Sequence, residues 1–246
     1  MPDVIFEVCL QGVDDVVAAM AGGAQRVELC AALVEGGITP SIATIAACAE
    51  LDTEVMVMIR PRGGDFDYSM RELALMEDDI LRCRDLGVSG VVFGMLTTDG
   101  KVAGTQVQRM KRAAGPLRTT FHRAFDVCRD PFTALEQLAD LGVDRILTSG
   151  QAATVPEGIP RLRELIARAE GRIGILPGCG ITPENVASVI DQTGASEFHA
   201  TAFANRESNM KFRNKAVYMG IPGLPEYERQ VTCAEEVRKY LRAVGN

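Results

Sequence analysis

The feature that most constrains this chain is a short β-branched or apolar run that recurs eight times, with about 20 to 35 residues, the length of one β-plus-α unit, from one to the next. The runs fall at 4–9, 26–30, 55–60, 90–94, 119–123, 145–148, 173–177 and 197–200. Helix signals punctuate the intervals. Thr39-Pro40 opens one helix, and Ser69 with Glu72 forms a capping box into 73–86, closed by Gly87. Asp130-Pro131 opens the next, ended by Gly142; Thr182-Pro183 opens another, ended by Gly194; Thr232 with Glu235 caps the last.

Strand and helix alternating eight times in 246 residues predict an α/β fold, a closed (β/α)8 TIM barrel rather than an open doubly wound sheet. An open sheet would usually carry a glycine-rich first turn. Here that turn is Cys9-Leu10-Gln11-Gly12, without G-x-G-x-x-G, which argues against a dinucleotide site. No Pro/Gly/Ser linker or break in composition divides residues 1–246, so a single domain is expected. With 47% hydrophobic residues it has enough apolar side chain for one large core.

A net charge of −7 excludes the basic footprint of a nucleic-acid binder. The stretch 1–7 has no basic n-region, its apolar run ends at Glu7, and no segment reaches 18 uncharged apolar residues, so neither a signal peptide nor a membrane span is expected. Seven cysteines, an odd number without a C-x-x-C pair, suit reduced thiols in the cytoplasm.

In a barrel of this type chemistry sits at the C-terminal ends of the strands. Three runs that become neighbours on closure end E-x-C, E-x-C and E-x-H: Glu7 and Cys9, Glu28 and Cys30, Glu197 and His199. Period-two alternation puts each glutamate on the face of its soft ligand. If that face is inward, three carboxylates form a layer beneath two thiols and an imidazole. Arg60, with Arg62 and Arg123 at the rim, are the expected partners of those carboxylates. Thiol and imidazole donors suit copper(I) or zinc better than a hard ion, with Cys9, Cys30 and His199 as the metal set. The same residues also admit a purely structural reading, as buried small hydrophobes and an internal ion-pair network.

A second cluster supports a different function. In Arg118-Thr-Thr-Phe-His-Arg-Ala-Phe-Asp126, a strand-like run delivers His122 to the rim, where imidazole chemistry suits proton transfer near neutrality, and Asp126 follows at a distance suited to orienting it. The catalytic set on this reading is His122, Asp126, Arg60, Arg123 and Glu28, in a lyase, isomerase or hydrolase. The substrate would be a small phosphorylated or carboxylated metabolite. Gly178, Gly180 and Thr182, which turn the seventh strand into a helix, and Ser149 at the sixth would cradle its anionic group. Residues 201–230 show little periodicity and read as a long loop after the eighth strand, a lid, binding loop or interface arm.

Several long motifs carry a family resemblance: E-V-C at 7–9, G-G-A-x-R-V-E-L-C at 22–30, E-G-G-x-T-P-S at 35–41, V-M-I-R-P-R-G-G-D-F at 57–66, T-F-H-R-A-F-D at 120–126, L-T-S-G at 147–150, E-F-H at 197–199 and M-K-F-R-N at 210–214. The chain resembles the CutC family of copper homeostasis proteins. That resemblance implies a (β/α)8 barrel, a cytosolic role in copper handling, and self-association as a homodimer or higher homo-oligomer. It also implies that Cys9 and Cys30 occupy the proposed copper(I) ligand positions. Cys179 stands where similar proteins commonly carry glycine.

Overall fold

The computed structural model describes residues 4–245; residues 1–3, part of the N-terminal stretch read above, lie outside them. Among the described residues the order is β1 (Ile5–Leu10), α1 (Val13–Gly22), β2 (Arg26–Leu29), α2 (Ile42–Ala49), β3 (Glu54–Met58), α3 (Met70–Asp85), β4 (Gly90–Phe93), α4 (Gly104–Ala114), β5 (Arg118–Phe121) and α5 (Pro131–Asp140). It continues with β6 (Arg145–Thr148), α6 (Val155–Ala169), β7 (Gly174–Pro177), α7 (Val186–Thr193), β8 (Glu197–Ala200), β9 (Phe203–Glu207), β10 (Glu228–Thr232) and α8 (Ala234–Val244).

Strands β1 to β8 form one sheet in the order β7-β6-β5-β4-β3-β2-β1-β8, with every pairing parallel. A parallel bridge from Gly178 to His199 brings the two edges together, so the expected (β/α)8 barrel is what the chain forms. Seam closure depends on a missing side chain. A Cβ at Gly178 would lie 2.5 Å from Leu147 Cδ1 and 3.2 Å from His199 Cβ, so glycine here lets β7 approach β8.

Alternation along β1 sorts the two faces. Phe6, Val8 and Leu10 pack outward into the main core beneath the helices, while Cys9 belongs to a small inner cluster with Cys30, Met56, Met58 and Val92. Phe6 stacks on Phe198 with ring centroids 4.5 Å apart and meets Tyr240 of α8 at 4.8 Å, which ties the last helix to the first strand.

The caps on α3 and α5 fall where the sequence put them. Ser69 and Glu72 make the reciprocal capping box, and Asp130 accepts from the N–H groups of Phe132 and Thr133. Three other starts differ. Ser41, not Thr39, caps α2, because Thr39 Oγ1 instead receives the Arg60 N–H. Thr182-Pro183 makes a turn stabilised by Asn185, and α7 begins only at Val186. Thr232 cannot cap α8 because it ends β10 with its N–H bound to Asp15, leaving Cys233 at the cap position.

Segment 201–230, read as a loop, instead holds β9 and the start of β10, which form an antiparallel ribbon paired from Phe203↔Thr232 to Glu207↔Glu228. Between these strands Met210, Phe212, Val217, Tyr218, Met219, Ile221 and Leu224 are exposed. No helix among the described residues is long and apolar enough to cross a membrane.

Candidate functional site

Barrel interiors are usually filled by branched aliphatic side chains. Here Glu7, Arg26, Glu28, Arg145, Glu197 and His199 are all buried. Strand register sets their heights. Glu7 is level with Arg26 on one side and His199 on the other, whereas Glu28 is level with Cys9 and Glu197 with Ile5. The three glutamates therefore do not share one layer. Strand stagger spreads them over successive levels, from Glu197 at the bottom through Glu7 to Glu28 between the thiols.

The carboxylates also have a different partner from the one expected. Arg26, two residues before Glu28 and so on the same face of β2, donates from Nε to Glu7 Oε2 and from Nη2 to Glu197 Oε2 at 2.5 Å. Arg60 is turned away from them. Its two terminal nitrogens donate to the carbonyls of Glu35, Gly37 and Gly64 at 2.8–3.0 Å. Burial alone would raise the Glu7 pKa, but the Arg26 guanidinium and His199 outweigh it and hold the carboxyl at about 2. Glu7 is thus an anion that accepts the Nδ1–H of His199 over 2.8 Å, leaving Nε2 facing Glu28 at 3.7 Å.

Above this pair the sulfurs of Cys9 and Cys30 both lie within hydrogen-bonding distance of one oxygen, Glu28 Oε2, at 3.4 and 3.5 Å. Ligand atoms of Cys9, Glu28 and Cys30 lie within 4.8 Å of one another, as do those of Glu7, Glu28 and His199. The two thiols are inequivalent. The hydrogen bond from Cys30 is the main influence drawing the Cys9 pKa down to about 5; burial opposes it and His199 assists. That same bond, with burial and the nearby Glu28 charge, pushes Cys30 well up. Burial also raises Glu28 well above the usual carboxylate range despite the opposing charge of His199. His199 is raised well above an ordinary imidazole: burial works against its charge, but Glu28, Cys9 and Glu7 outweigh it. Sequence reasoning missed Arg26 and the thioether of Met58, which packs beside both cysteines and lines the mouth. Same-face spacing on β2 and β3 was the available signal for both.

The mouth is a cavity of about 590 Å³ whose wall includes Cys9, Glu28, Met58, Arg60, His122 and His199, with Arg123, Asp126 and Gly180 also on it. Cys30 sits behind Cys9 at 2% exposure. Ser149, Gly178 and Thr182 do not form the expected cradle. Ser149 is taken up by Asp126, Gly178 is the seam glycine, and the Thr182 N–H donates to Asn185 Oδ1 at 2.9 Å.

Asp126 does not orient His122 either. It accepts from Thr148 Oγ1, from the N–H groups of Ser149 and Gln151, and from Arg123 Nε at 2.7 Å, clamping the loop after β6. His122 Nδ1 instead accepts the Ala124 N–H at 3.1 Å, so the ring is a neutral tautomer with its proton on Nε2. Burial, then the neighbouring charge of Arg60, lowers its pKa to about 3. His122 is therefore a hydrogen-bond donor rather than a base near neutrality.

Fold and mouth together define a class: a parallel (β/α)8 barrel whose C-terminal opening gathers two thiols, an imidazole and buried carboxylates. The CutC family model matches residues 4–204. A CutC family protein of Bacteroides fragilis is 49% identical over 99% of this chain and 98% of its own. The human copper homeostasis protein cutC homolog is 45% identical over 95% of this chain and 86% of its own. A crystal structure of CutC from Streptococcus agalactiae, 35% identical, superposes with a TM-score of 0.77 over 80% of this chain and 98% of that one. The chain belongs to the CutC family of copper homeostasis proteins.

Proposed function

We propose that this protein binds copper(I) as cargo at the barrel mouth, through the thiolates of Cys9 and Cys30 with His199 Nε2 as a third donor. The observation that carries this reading is the convergence of both thiols on one oxygen of Glu28. Two sulfurs and an imidazole nitrogen match the preference of a soft monovalent ion. Glu7 would then act from behind the site, holding Nδ1–H so that Nε2 faces the metal. Loading would release the Cys30 thiol proton and the Nε2 proton of His199 to solvent through the mouth, so affinity should rise with pH.

The test is an anaerobic copper(I) titration against a competing chelator, with a Cys9→Ser/Cys30→Ser variant of checked fold. One tightly bound equivalent that the variant loses is expected; unchanged affinity in the variant overturns the reading. The reading includes a cytoplasmic setting, supported by cysteines that are all free among the described residues.

It also includes a single domain that self-associates. Packing of α8 against Phe6 supports the single domain, and one cooperative unfolding transition is its check. The exposed apolar side chains between β9 and β10 support self-association. Sedimentation of a Phe212→Asp variant, expected to shift toward monomer, checks that.

A further inference from the structure

Beside the thiols at the mouth, the segments that follow β3 and β5 carry three buried polar groups that the copper reading does not use. Arg60 is 6% exposed, His122 4% and Tyr68 9%. Arg60 Nε, His122 Nε2 and the Tyr68 hydroxyl are each buried without a hydrogen-bond partner among the described residues. Orphaned donors are individually uncommon in folded proteins, and here two of them, Arg60 Nε and His122 Nε2, belong to neighbouring side chains, with the Tyr68 hydroxyl beside the same guanidinium.

Arg60 is the centre of the group. Its Nη atoms bind three carbonyls, and no carboxylate pairs with it among the described residues. A guanidinium buried without a counter-charge is costly, whereas Arg26, buried in the barrel interior, has two carboxylates. The Phe66 ring joins the cluster, its centroid 5.2 Å from Arg60 Cζ and 5.0 Å from the His122 ring. The chain also makes room for His122: a Cβ at Gly94 would fall 2.4 Å from His122 Nδ1. With Nδ1 accepting from Ala124, the ring can present only an N–H toward the cavity side.

We propose that Arg60 and His122, backed by Tyr68, bind the carboxylate or phosphate group of a small molecule in the mouth, at a subsite distinct from the thiol cluster. The ligand's oxyanion supplies the counter-charge Arg60 lacks and accepts from Arg60 Nε and His122 Nε2. Phe66 lies against both donors, so the oxyanion reaches them by displacing this half-buried ring. The rest of the ligand occupies the cavity of about 590 Å³ that also holds Cys9. The proposal does not require proton transfer and stands whether or not copper binds.

The test measures thermal stabilisation of the full chain by inorganic phosphate and by acetate, each against chloride at matched ionic strength. His122→Asn is the informative variant. Its amide oxygen can still accept the Ala124 N–H, while the Nε2 donor is gone. At least one oxyanion is expected to stabilise beyond chloride, with apparent affinity roughly tenfold or more weaker in His122→Asn, as for loss of a hydrogen bond to a charged group. Copper(I) stoichiometry should stay as in the parent. Arg60→Lys, which keeps a charge but loses the Nε donor, should weaken the same anion. The proposal is overturned if neither oxyanion exceeds chloride, or if His122→Asn binds it as tightly as the parent. Which of the two oxyanions stabilises more assigns the ligand to the carboxylate or the phosphate class.

Discussion

Glu7 and His199 face one another across the paired strands β1 and β8, carboxylate Oε1 to imidazole Nδ1 at 2.8 Å, at the level where Arg26 closes on the same carboxylate from β2. One buried anion thereby serves two cations on two neighbouring strands. Glu7→Gln keeps shape and removes the charge, leaving Arg26 with Glu197 alone. A loss of about 3–5 kcal/mol is expected in chemical denaturation, the usual cost of breaking a buried pair. If His199 is a copper ligand, Glu7→Ala should also weaken copper(I) by roughly 10- to 100-fold. A fully stable Glu7→Gln protein would show that the interior pair is not held in this way.

The inequality of the two mouth thiols is directly measurable. With Cys9 drawn from 9.0 to about 5, the metal-free protein should carry one thiolate at neutral pH. A folded pKa below the unfolded one contributes stability that is present above 9.0 and lost as pH falls through about 5. Thiolate ultraviolet absorbance should titrate near that value and vanish in Cys9→Ser. A first thiol titration near 9 in the parent would refute it.

Acid stability should reveal His122. Its folded pKa of about 3 lies below the ordinary 6.5, so its contribution is complete above 6.5 and is lost as pH falls toward 3. The slope from one such group is at most about 1.4 kcal/mol per pH unit. Glu7, held at about 2 against 4.5, contributes only below that range, with stability present above 4.5 and lost as pH falls through about 2. Between pH 6.5 and 4.5, His122→Asn should therefore flatten the stability curve. An unchanged slope would mean that His122 takes up protons in the native state.

Cys179 has φ +96°, a conformation that suits glycine and strains an L side chain. Such strain costs about 1–3 kcal/mol, against about 0.5–1 kcal/mol lost to the greater chain entropy of glycine. Cys179→Gly should therefore raise stability by about 1 kcal/mol, read as a higher melting temperature. A lower melting temperature would mean that its thiol contact with the Ala153 carbonyl, at 3.4 Å, outweighs the strain.

Much of the site was legible because period-two alternation is local. Glu7 with Cys9, Glu28 with Cys30 and Glu197 with His199 could be assigned to common faces from spacing alone, and closure of the barrel then made the three strands neighbours. Pairings across strands were not legible. Arg60 looked like the carboxylates' partner because it ends the adjacent strand, yet three carbonyls hold it elsewhere, and Arg26 takes that place. Asp126 follows His122 by four residues, but the short helical turn Arg123–Val127 carries it to the loop after β6.

The sequence by itself determined the alternation of strands and helices, the barrel it implies and the common face that each glutamate shares with its soft ligand, since these follow from local periodicity and capping. Tertiary structure alone decided that this face is the inner one, the heights of those side chains, the ion pairs among them and the direction of each pKa shift. Register between strands, burial and the distance between charges are properties of packed neighbours, and no stretch of chain carries them alone.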